Sequence, residues 1–283
     1  MERNKISLLF GGSGFIGSNI SNFFLSNSVR HKVIGKKECD LTKKSELSRL
    51  LDSFKDYELD ILFTSSIVRK KEDTINSQIS NTLMVQNLAE LIDDLEIRSF
   101  IFFSSVDVYH QDTKEFNETS PTKNNSPYAI SKLESEKILN EALADKLTIL
   151  RMPGVYGPND NFNSVVGHLV RIITNKQIVK VTNNGMQTRD YLYVDDISRA
   201  VLSLLEKPCS GIFNLSTGNS IKLLEIIGII ANKLKVNPEL EEIESDSKLN
   251  FIKISNKKFL KNFPEYQFTS IDRGICKYIE TLN

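Results

Sequence analysis

Three glycines, Gly11, Gly14 and Gly17, stand where the apolar run Ile6–Phe10 meets a segment of helical length, Gly14–Asn27. A strand that turns at once into a helix needs a tight turn, and glycine is the residue that tolerates one. Ser13, Phe15 and Ile16 fill the spaces between the glycines. In a strand–turn–helix of this kind the glycines let the backbone approach a pyrophosphate closely and let the helix pack against the sheet. The exposed N–H groups and the dipole of the helix favour the anion. The spacing Gly-x-x-Gly-x-x-Gly is a variant of the commoner dinucleotide fingerprint. A glycine turn that only joins strand to helix would need the same residues, so the junction fixes local structure more firmly than ligand.

The rest of the chain repeats the strand–helix alternation. Strand-like runs at Ile6–Phe10, Lys32–Ile34, Asp60–Thr64, Ser99–Ser104 and Leu147–Met152 are separated by helical stretches at Gly14–Asn27, Ser45–Phe54, Asn81–Leu95 and Tyr128–Leu143. That pattern predicts an α/β fold, a Rossmann-type doubly wound parallel sheet with helices on both faces. After Gly157-Pro158 the alternation loosens. Helices are expected at Val165–Thr174, Asp195–Leu205 and Leu223–Leu234, short strands at Ile178–Val181 and Gly211–Leu215, and an acidic loop over Asn237–Ser247. The expected organisation is a dinucleotide-binding domain over residues 1–155 and a smaller C-terminal substrate lobe over 156–283, with some return of the chain to the first domain. A ligand cleft is expected between them, beyond the carboxyl ends of the strands.

Composition bounds the partners. Formal net charge is zero, which gives no electrostatic reason to expect nucleic acid or an anionic membrane surface. No apolar run approaches the roughly 20 residues that span a bilayer. The N-terminus reads as a strand and not as a signal peptide. Cys39, Cys209 and Cys276 are odd in number and far apart, with neither disulfide-framework nor zinc spacing. The reading is of free thiols in a cytoplasmic protein with no metal site.

The end of the second strand discriminates NAD from NADP: an acid accepts from the ribose hydroxyl, bases accommodate a 2′-phosphate. The first side chains there are Lys36 and Lys37, within Val33-Ile34-Gly35-Lys36-Lys37-Glu38-Cys39-Asp40-Leu41. The expectation is NADP, with NAD as the alternative. Asp40 and Leu41 lie further along and are placed at the adenine edge of the cofactor site.

Tyr128 and Lys132 are one helical turn apart and share a face. A phenol ionises near pH 10 in water, and a neighbouring cation is expected to pull that value toward neutrality. Such a pair can exchange a proton with an alcohol or carbonyl. Upstream lie Ser104 and Ser105. A hydroxyl beside Tyr128 can stabilise an alkoxide, and of the two serines, alternation along a strand turns Ser104 away.

With these elements placed, the chain resembles the extended short-chain dehydrogenase/reductase family that acts on nucleotide sugars. Phe102-Phe103-Ser104-Ser105-Val106-Asp107-Val108-Tyr109, Asn81 with Asn87-Leu88 at a helix start, Arg151-Met152-Pro153-Gly154-Val155-Tyr156-Gly157-Pro158 and Thr188-Arg189-Asp190-Tyr191-Leu192-Tyr193-Val194-Asp195-Asp196 carry the resemblance in the family's order. It implies Tyr128 as acid/base, Lys132 as its partner and a ligand of the nicotinamide ribose, and Ser105 as the group bonded to the reacting oxygen. It implies Arg189 on the diphosphate of a sugar nucleotide, where a guanidinium can grip two oxygens. Ser65, Asn81, Pro153 and Val155 fall at cofactor-contacting positions. Asp195 and Asp196 are expected to cap the following helix. The family's His-x-Ala-Ala is replaced by Phe63-Thr64-Ser65-Ser66, where contact is expected through backbone.

The resemblance further implies a homodimer and a place in surface polysaccharide biosynthesis. Val106 and Asp107 stand where a sugar dehydratase has an acid pair, which argues against dehydration. Tyr156-Gly157-Pro158-Asn159-Asp160-Asn161-Phe162 is similar to a segment of the GDP-fucose synthase branch, where a histidine twelve residues past the tyrosine protonates carbon; the count gives His168. The branch's cysteine base is Asp107 here. Asp107, Asn161, His168 and Arg189 are thus the candidate substrate contacts. The expected reaction is NADPH-linked reduction of a 4-keto sugar on a nucleotide diphosphate. A 4-epimerase, resembling UDP-glucose 4-epimerase, is the near alternative, and a non-catalytic NADP-sensing protein the alternative of another class.

Overall fold

The computed structural model describes residues 4–110, 115–123, 125–244 and 252–282. The chain divides into two compact units. One comprises Met1–His110, Pro121–Arg151 and Ile197–Phe213; the other comprises Gln111–Ser120, Met152–Asp196 and Asn214–Asn283.

The first unit is built on a six-stranded parallel sheet. Its strands are β1 (Asn4–Phe10), β2 (His31–Ile34), β3 (Tyr57–Phe63), β4 (Glu96–Ser105), β5 (Leu147–Met152) and β6 (Gly211–Asn214), ordered β6-β5-β4-β3-β1-β2. β1 lies between β2 and β3, with Leu9 opposite Val33 on one side and Leu62 on the other. The strand order therefore reverses at β1, and the crevice beyond its carboxyl end is where such a sheet binds ligands. The helices α1 (Phe15–Ser26), α2 (Lys44–Asp52), α3 (Ile75–Ala89) and α4 (Pro127–Leu143) alternate with the strands. The central strands read as near-continuous apolar runs because both faces are covered. Leu8, Phe10, Ile61, Phe63, Phe100 and Phe102 are buried in one core with Leu47, Leu88 and Leu139 from the helices.

Three boundaries differ from the sequence reading. α3 begins at Ile75, so Asn81 lies inside the helix and not at its start. Thr74 caps it, accepting from the Ser77 N–H while Ser77 Oγ accepts from the Thr74 N–H at 3.0 Å. That capping box uses serine where the usual signal is Glu or Gln. Within the acidic segment expected as a loop, Leu240–Glu242 forms a parallel strand on Val179–Val181. Residues 245–247 of that segment lie outside the described residues. α6 (Val194–Glu206) begins one residue before Asp195, so Asp195 and Asp196 lie inside its first turn, and the Asp196 carboxylate accepts from the N–H and the hydroxyl of Thr269, at 2.8 and 2.6 Å.

The second unit gathers α5 (Val165–Thr174), which precedes α6, with α7 (Leu223–Leu234), α8 (Lys257–Asn262) and α9 (Ile271–Glu280). Val166, Leu169, Val170, Ile226, Ile230, Ile275 and Tyr278 make its core. Its strands are short pairs: Tyr191–Tyr193 on Gly154–Tyr156, and Ile221–Lys222 on Thr188–Arg189.

Candidate active site and cofactor cavity

β1 ends at Phe10, and the chain turns sharply. Gly11 holds φ +80°, its N–H donates to Ile34 O at 2.8 Å, and its carbonyl accepts from the Gly14 N–H at 2.9 Å. A Cβ on Gly11 would stand 2.6 Å from Ser65 N, and one on Gly17 would stand 2.4 Å from Gly11 O. Only glycine fits either position without moving backbone. α1 starts at this turn with Gly14 as its N-cap, no side chain capping it and no acid in its first turn. Its leading N–H groups are left for an anion. These features fit a dinucleotide pyrophosphate.

The cavity beside the turn measures about 630 Å³, a size suited to a cofactor. Of the residues expected to contact cofactor, Gly11, Ser13, Gly14, Lys36, Asp40, Leu41 and Ser65 line it. Phe15, Ile16 and Gly17 form the first turn of α1 behind that lining. Lys37 is exposed and outside the lining. Asn81 acts one step back: its side-chain amide accepts from Ile67 N at 2.7 Å and donates to Ile67 O at 3.0 Å, fixing a lining residue. Lys71, Glu72, Ser80 and Met84 also line the cavity and carried no sequence signal. Glu38 folds back so that its carboxylate accepts from the Gly35 N–H at 2.9 Å. Asp40 accepts from the N–H and hydroxyl of Thr42, and those bonds, with Lys36 and Lys43 nearby, hold its carboxyl below the usual range.

The acid/base group assembles at the start of α4 and the end of β4. Ser126 caps α4 by accepting from Ala129 N at 3.2 Å, and Pro127 opens it. Asp73 accepts from the Tyr128 N–H at 2.9 Å and is paired with Arg69 at 3.2 Å. Ser105 lies beside the Tyr128 phenol and works to lower its pKa, and Ser105 Oγ accepts from the Asp107 N–H at 3.1 Å. The Lys132 ammonium is buried, donates to Phe103 O at 2.8 Å and lies 5.7 Å from the centre of the Tyr128 ring. Ser104 turns the other way, donating to Glu136 at 2.5 Å.

The electrostatics correct one expectation. Whatever pull the Lys132 ammonium exerts on the Tyr128 phenol is outweighed, and the net shift is upward. Burial pushes the phenol up, the Asp107 charge pushes it further, and Ser105 opposes both only in part. Lys132 itself is lowered to about 8 by burial, with Glu136 resisting the fall.

Five expected residues belong to the second unit. Pro153 is buried ahead of the strand Gly154–Tyr156, and Val155 is paired with Leu192. Asn161 is exposed with φ +52°, in a turn organised by Asp160, which accepts from Phe162 N and from the hydroxyls of Ser164 and Tyr278. His168 is exposed on α5. The Arg171 guanidinium donates to its Nδ1 at 3.1 Å, and because a guanidinium has no acceptor, that nitrogen carries no proton in this arrangement. Arg189 is half-buried, and its buried Nη1 has no partner among the described residues.

Among the described residues no cluster of His, Cys, Asp or Glu could hold a metal ion, and no helix is long and apolar enough to cross a membrane. Among the described residues Cys39, Cys209 and Cys276 form no disulfide.

Residues 7–216 match the model of the NAD dependent epimerase/dehydratase family. A UDP-glucuronate 4-epimerase of Thermodesulfobacterium geofontis is 26% identical over 96% of this chain and 94% of its own length. The match to dTDP-D-glucose 4,6-dehydratase of Bos taurus, at 26% identity, spans only 63% of that protein. Among solved structures, UDP-glucose 4-epimerase of Thermus thermophilus in complex with NAD superposes with a TM-score of 0.82 at 22% identity, covering 97% of this chain and 98% of its own. A GDP-L-fucose synthetase of Naegleria fowleri bound to NADP also gives 0.82, at 20% identity, over 99% and 94%.

Proposed function

We propose that this chain, which belongs to the NAD dependent epimerase/dehydratase family, is an NADPH-dependent reductase of a 4-keto sugar carried on a nucleotide diphosphate. The observation that carries the reading is the cluster of Ser105, Tyr128 and the buried Lys132 ammonium at the end of β4 and the start of α4, with burial and Asp107 pushing the Tyr128 phenol further up. Reducing a carbonyl needs an acid at the oxygen, and a phenol that keeps its proton at neutral pH is that acid. A bound nicotinamide cofactor supplies the hydride. As hydride reaches C4, the electron pair of the C=O bond takes the Tyr128 proton. Ser105 donates to the same oxygen, and the nearby Lys132 ammonium stabilises the phenolate left behind. Arg189, with a buried guanidinium nitrogen unpaired, is the group we assign to the substrate diphosphate.

Lys36 supports NADP. With Glu38 engaged at Gly35, Lys36 is the first charged side chain past β2 to line the cavity, and Lys71 lines it too. Ammonium groups suit a 2′-phosphate. A cytoplasmic homodimer is the form we infer for it, in surface polysaccharide biosynthesis.

A second reading, 4-epimerisation of a nucleotide sugar, is favoured by the relative from Thermodesulfobacterium geofontis, matched over nearly all of both chains. The same Tyr128, Ser105 and Lys132 would then take up and return the proton of the C4 hydroxyl, while a retained nicotinamide would accept and return the hydride. Incubating the protein with nucleotide-linked 4-keto sugars and NADPH, and separately NADH, and in a further arm with 4-hydroxy nucleotide sugars and no added reductant, tests both. A reductase consumes reduced cofactor mole for mole with product, and NADPH faster than NADH. Epimer interconversion without net cofactor consumption overturns the reductase.

A further inference from the structure

Glu136 stands one helical turn beyond Lys132, on the same face of α4. Its carboxylate is buried and fully engaged. Oε1 accepts from Ser104 Oγ at 2.5 Å and from Arg151 Nε at 3.0 Å, and Oε2 accepts from Arg151 Nη2 at 2.6 Å. The Arg151 guanidinium lies 4.9 Å from the centre of the Tyr109 ring, and its Nη1 has no partner among the described residues. A buried pair of this kind is a poor source of stability, since apolar side chains of similar volume often serve as well or better. An orphaned donor makes it poorer still. The cluster stands directly behind the acid/base pair, which gives it other work to do.

We propose that Glu136 is a positioning residue that keeps Lys132 an ammonium at neutral pH, with Arg151 and Ser104 fixing its carboxylate in place. The inference rests on the reading that Lys132 works as the cation beside Tyr128. Among the described residues the ammonium has one hydrogen-bond acceptor, Phe103 O, and otherwise meets the rings of Phe102 at 5.0 Å and Tyr128 at 5.7 Å. One carbonyl is thin support for a cation removed from water. The titratable and charged groups around it are few. α4 contributes Tyr128 and Glu136, the turn after β4 contributes Asp107 and Tyr109, and β5 contributes Arg151. Asp73 sits at the Tyr128 N–H, and α3 has no charged residue between Ile75 and Ala89. Of the two carboxylates, Asp107 acts on Tyr128. Glu136 is the one whose charge opposes the loss of the Lys132 proton.

Glu136→Gln alone strands Arg151 as an unpaired buried cation, so the decisive comparison is Glu136→Gln with Arg151→Met against Arg151→Met alone, which differ only in the Glu136 charge. Its partner is Glu136→Asp, which keeps the charge and loosens the fit. Two measurements are needed. One is the titration of lysine labelled with ¹³C at Cε, followed by NMR and assigned by the signal lost in Lys132→Met; it requires no substrate. The other is the alkaline limb of kcat for sugar reduction. Thermal melting shows that each variant is folded.

The wild-type lysine is expected to titrate near the value of about 8 set by its surroundings. Relative to Arg151→Met, the titration and the alkaline limb of the double variant fall together by roughly one pH unit, the effect of removing a nearby opposite charge. Glu136→Asp melts at a lower temperature yet titrates close to wild type. A double variant that is folded and titrates as Arg151→Met does overturns the proposal, as does Glu136→Asp shifting as far as the double variant. If the lysine signal shifts as stated and no reduction of a 4-keto sugar is found, the assigned reaction is wrong and the role of Glu136 stands.

Discussion

A phenol already carries its proton at neutral pH, and the surroundings of Tyr128 hold it there more firmly. Burial and the Asp107 charge raise its pKa, and Ser105 lowers it. The Tyr-x-x-x-Lys spacing alone suggested the opposite, because spacing shows that a cation is near and not where the cation is spent. Here the ammonium is turned to Phe103 O, and its own value has fallen to about 8. The residue therefore acts as an acid toward a carbonyl oxygen, and its loss should remove one proton and little else. Tyr128→Phe is expected to lower kcat about 10²- to 10⁴-fold, the usual worth of a positioned proton donor. Cofactor affinity should stay at the wild-type level, since the glycine turn and the cavity lining are untouched. Rate assays beside fluorescence titration of NADPH measure both, and near-normal turnover would remove Tyr128 from the mechanism.

The junction of β1 with α1 was legible at the scale of elements because glycine at Gly11, Gly14 and Gly17 answers a steric demand that is local. So were β5, set between Lys146 and Pro153, and α7, set between Lys222 and Lys235. The start of α3 was not, because Thr74 and Ser77 make a capping box without the acid that marks one in sequence. Leu240–Glu242 was not, because an exposed edge strand of acidic residues has no apolar alternation to read. The Glu136–Arg151 pair is likewise silent: its members are fifteen positions apart and meet only when α4 packs beside β5.

The link between Asp190 and the turn at Thr217-Gly218 also needs the folded chain. Asp190 is buried and accepts from the Thr217 hydroxyl at 2.7 Å and from the N–H groups of Thr217 and Gly218 at 3.3 and 2.9 Å. Burial outweighs those bonds and raises its carboxyl to about 6. The folded value lies above the unfolded one, so the folded state holds the proton more tightly between about pH 4 and 6. Stability from this residue is thus greatest at low pH and declines as pH rises through that window. Urea unfolding at both ends of the window should show wild type losing on the order of 2–3 kcal/mol relative to Asp190→Asn as pH rises. Parallel pH profiles for the two proteins would show that the carboxyl is not destabilised by burial.

For the molecule as a whole, fold and family are settled by the order of the sheet, the glycine turn and the match over residues 7–216. The reaction turns on whether any side chain handles a proton at carbon. An epimerising reductase needs an acid and a base beside the keto group, at the sugar's own carbons. The base position holds Asp107, whose charge bears on the Tyr128 phenol. His168, the counted acid, is exposed and takes the Arg171 guanidinium on Nδ1, which leaves only Nε2 to carry a proton in the neutral ring. Simple reduction at C4 makes no carbon acid. Wild-type protein turning over a 4-keto sugar nucleotide in deuterium oxide is therefore expected to give product with no deuterium on the carbons flanking C4, and His168→Asn should turn over at the wild-type rate. Mass spectrometry of the sugar reads the first and cofactor oxidation the second. Deuterium at a flanking carbon in wild type, lost in His168→Asn, would make Asp107 and His168 an epimerising pair and replace simple reduction with epimerisation followed by reduction.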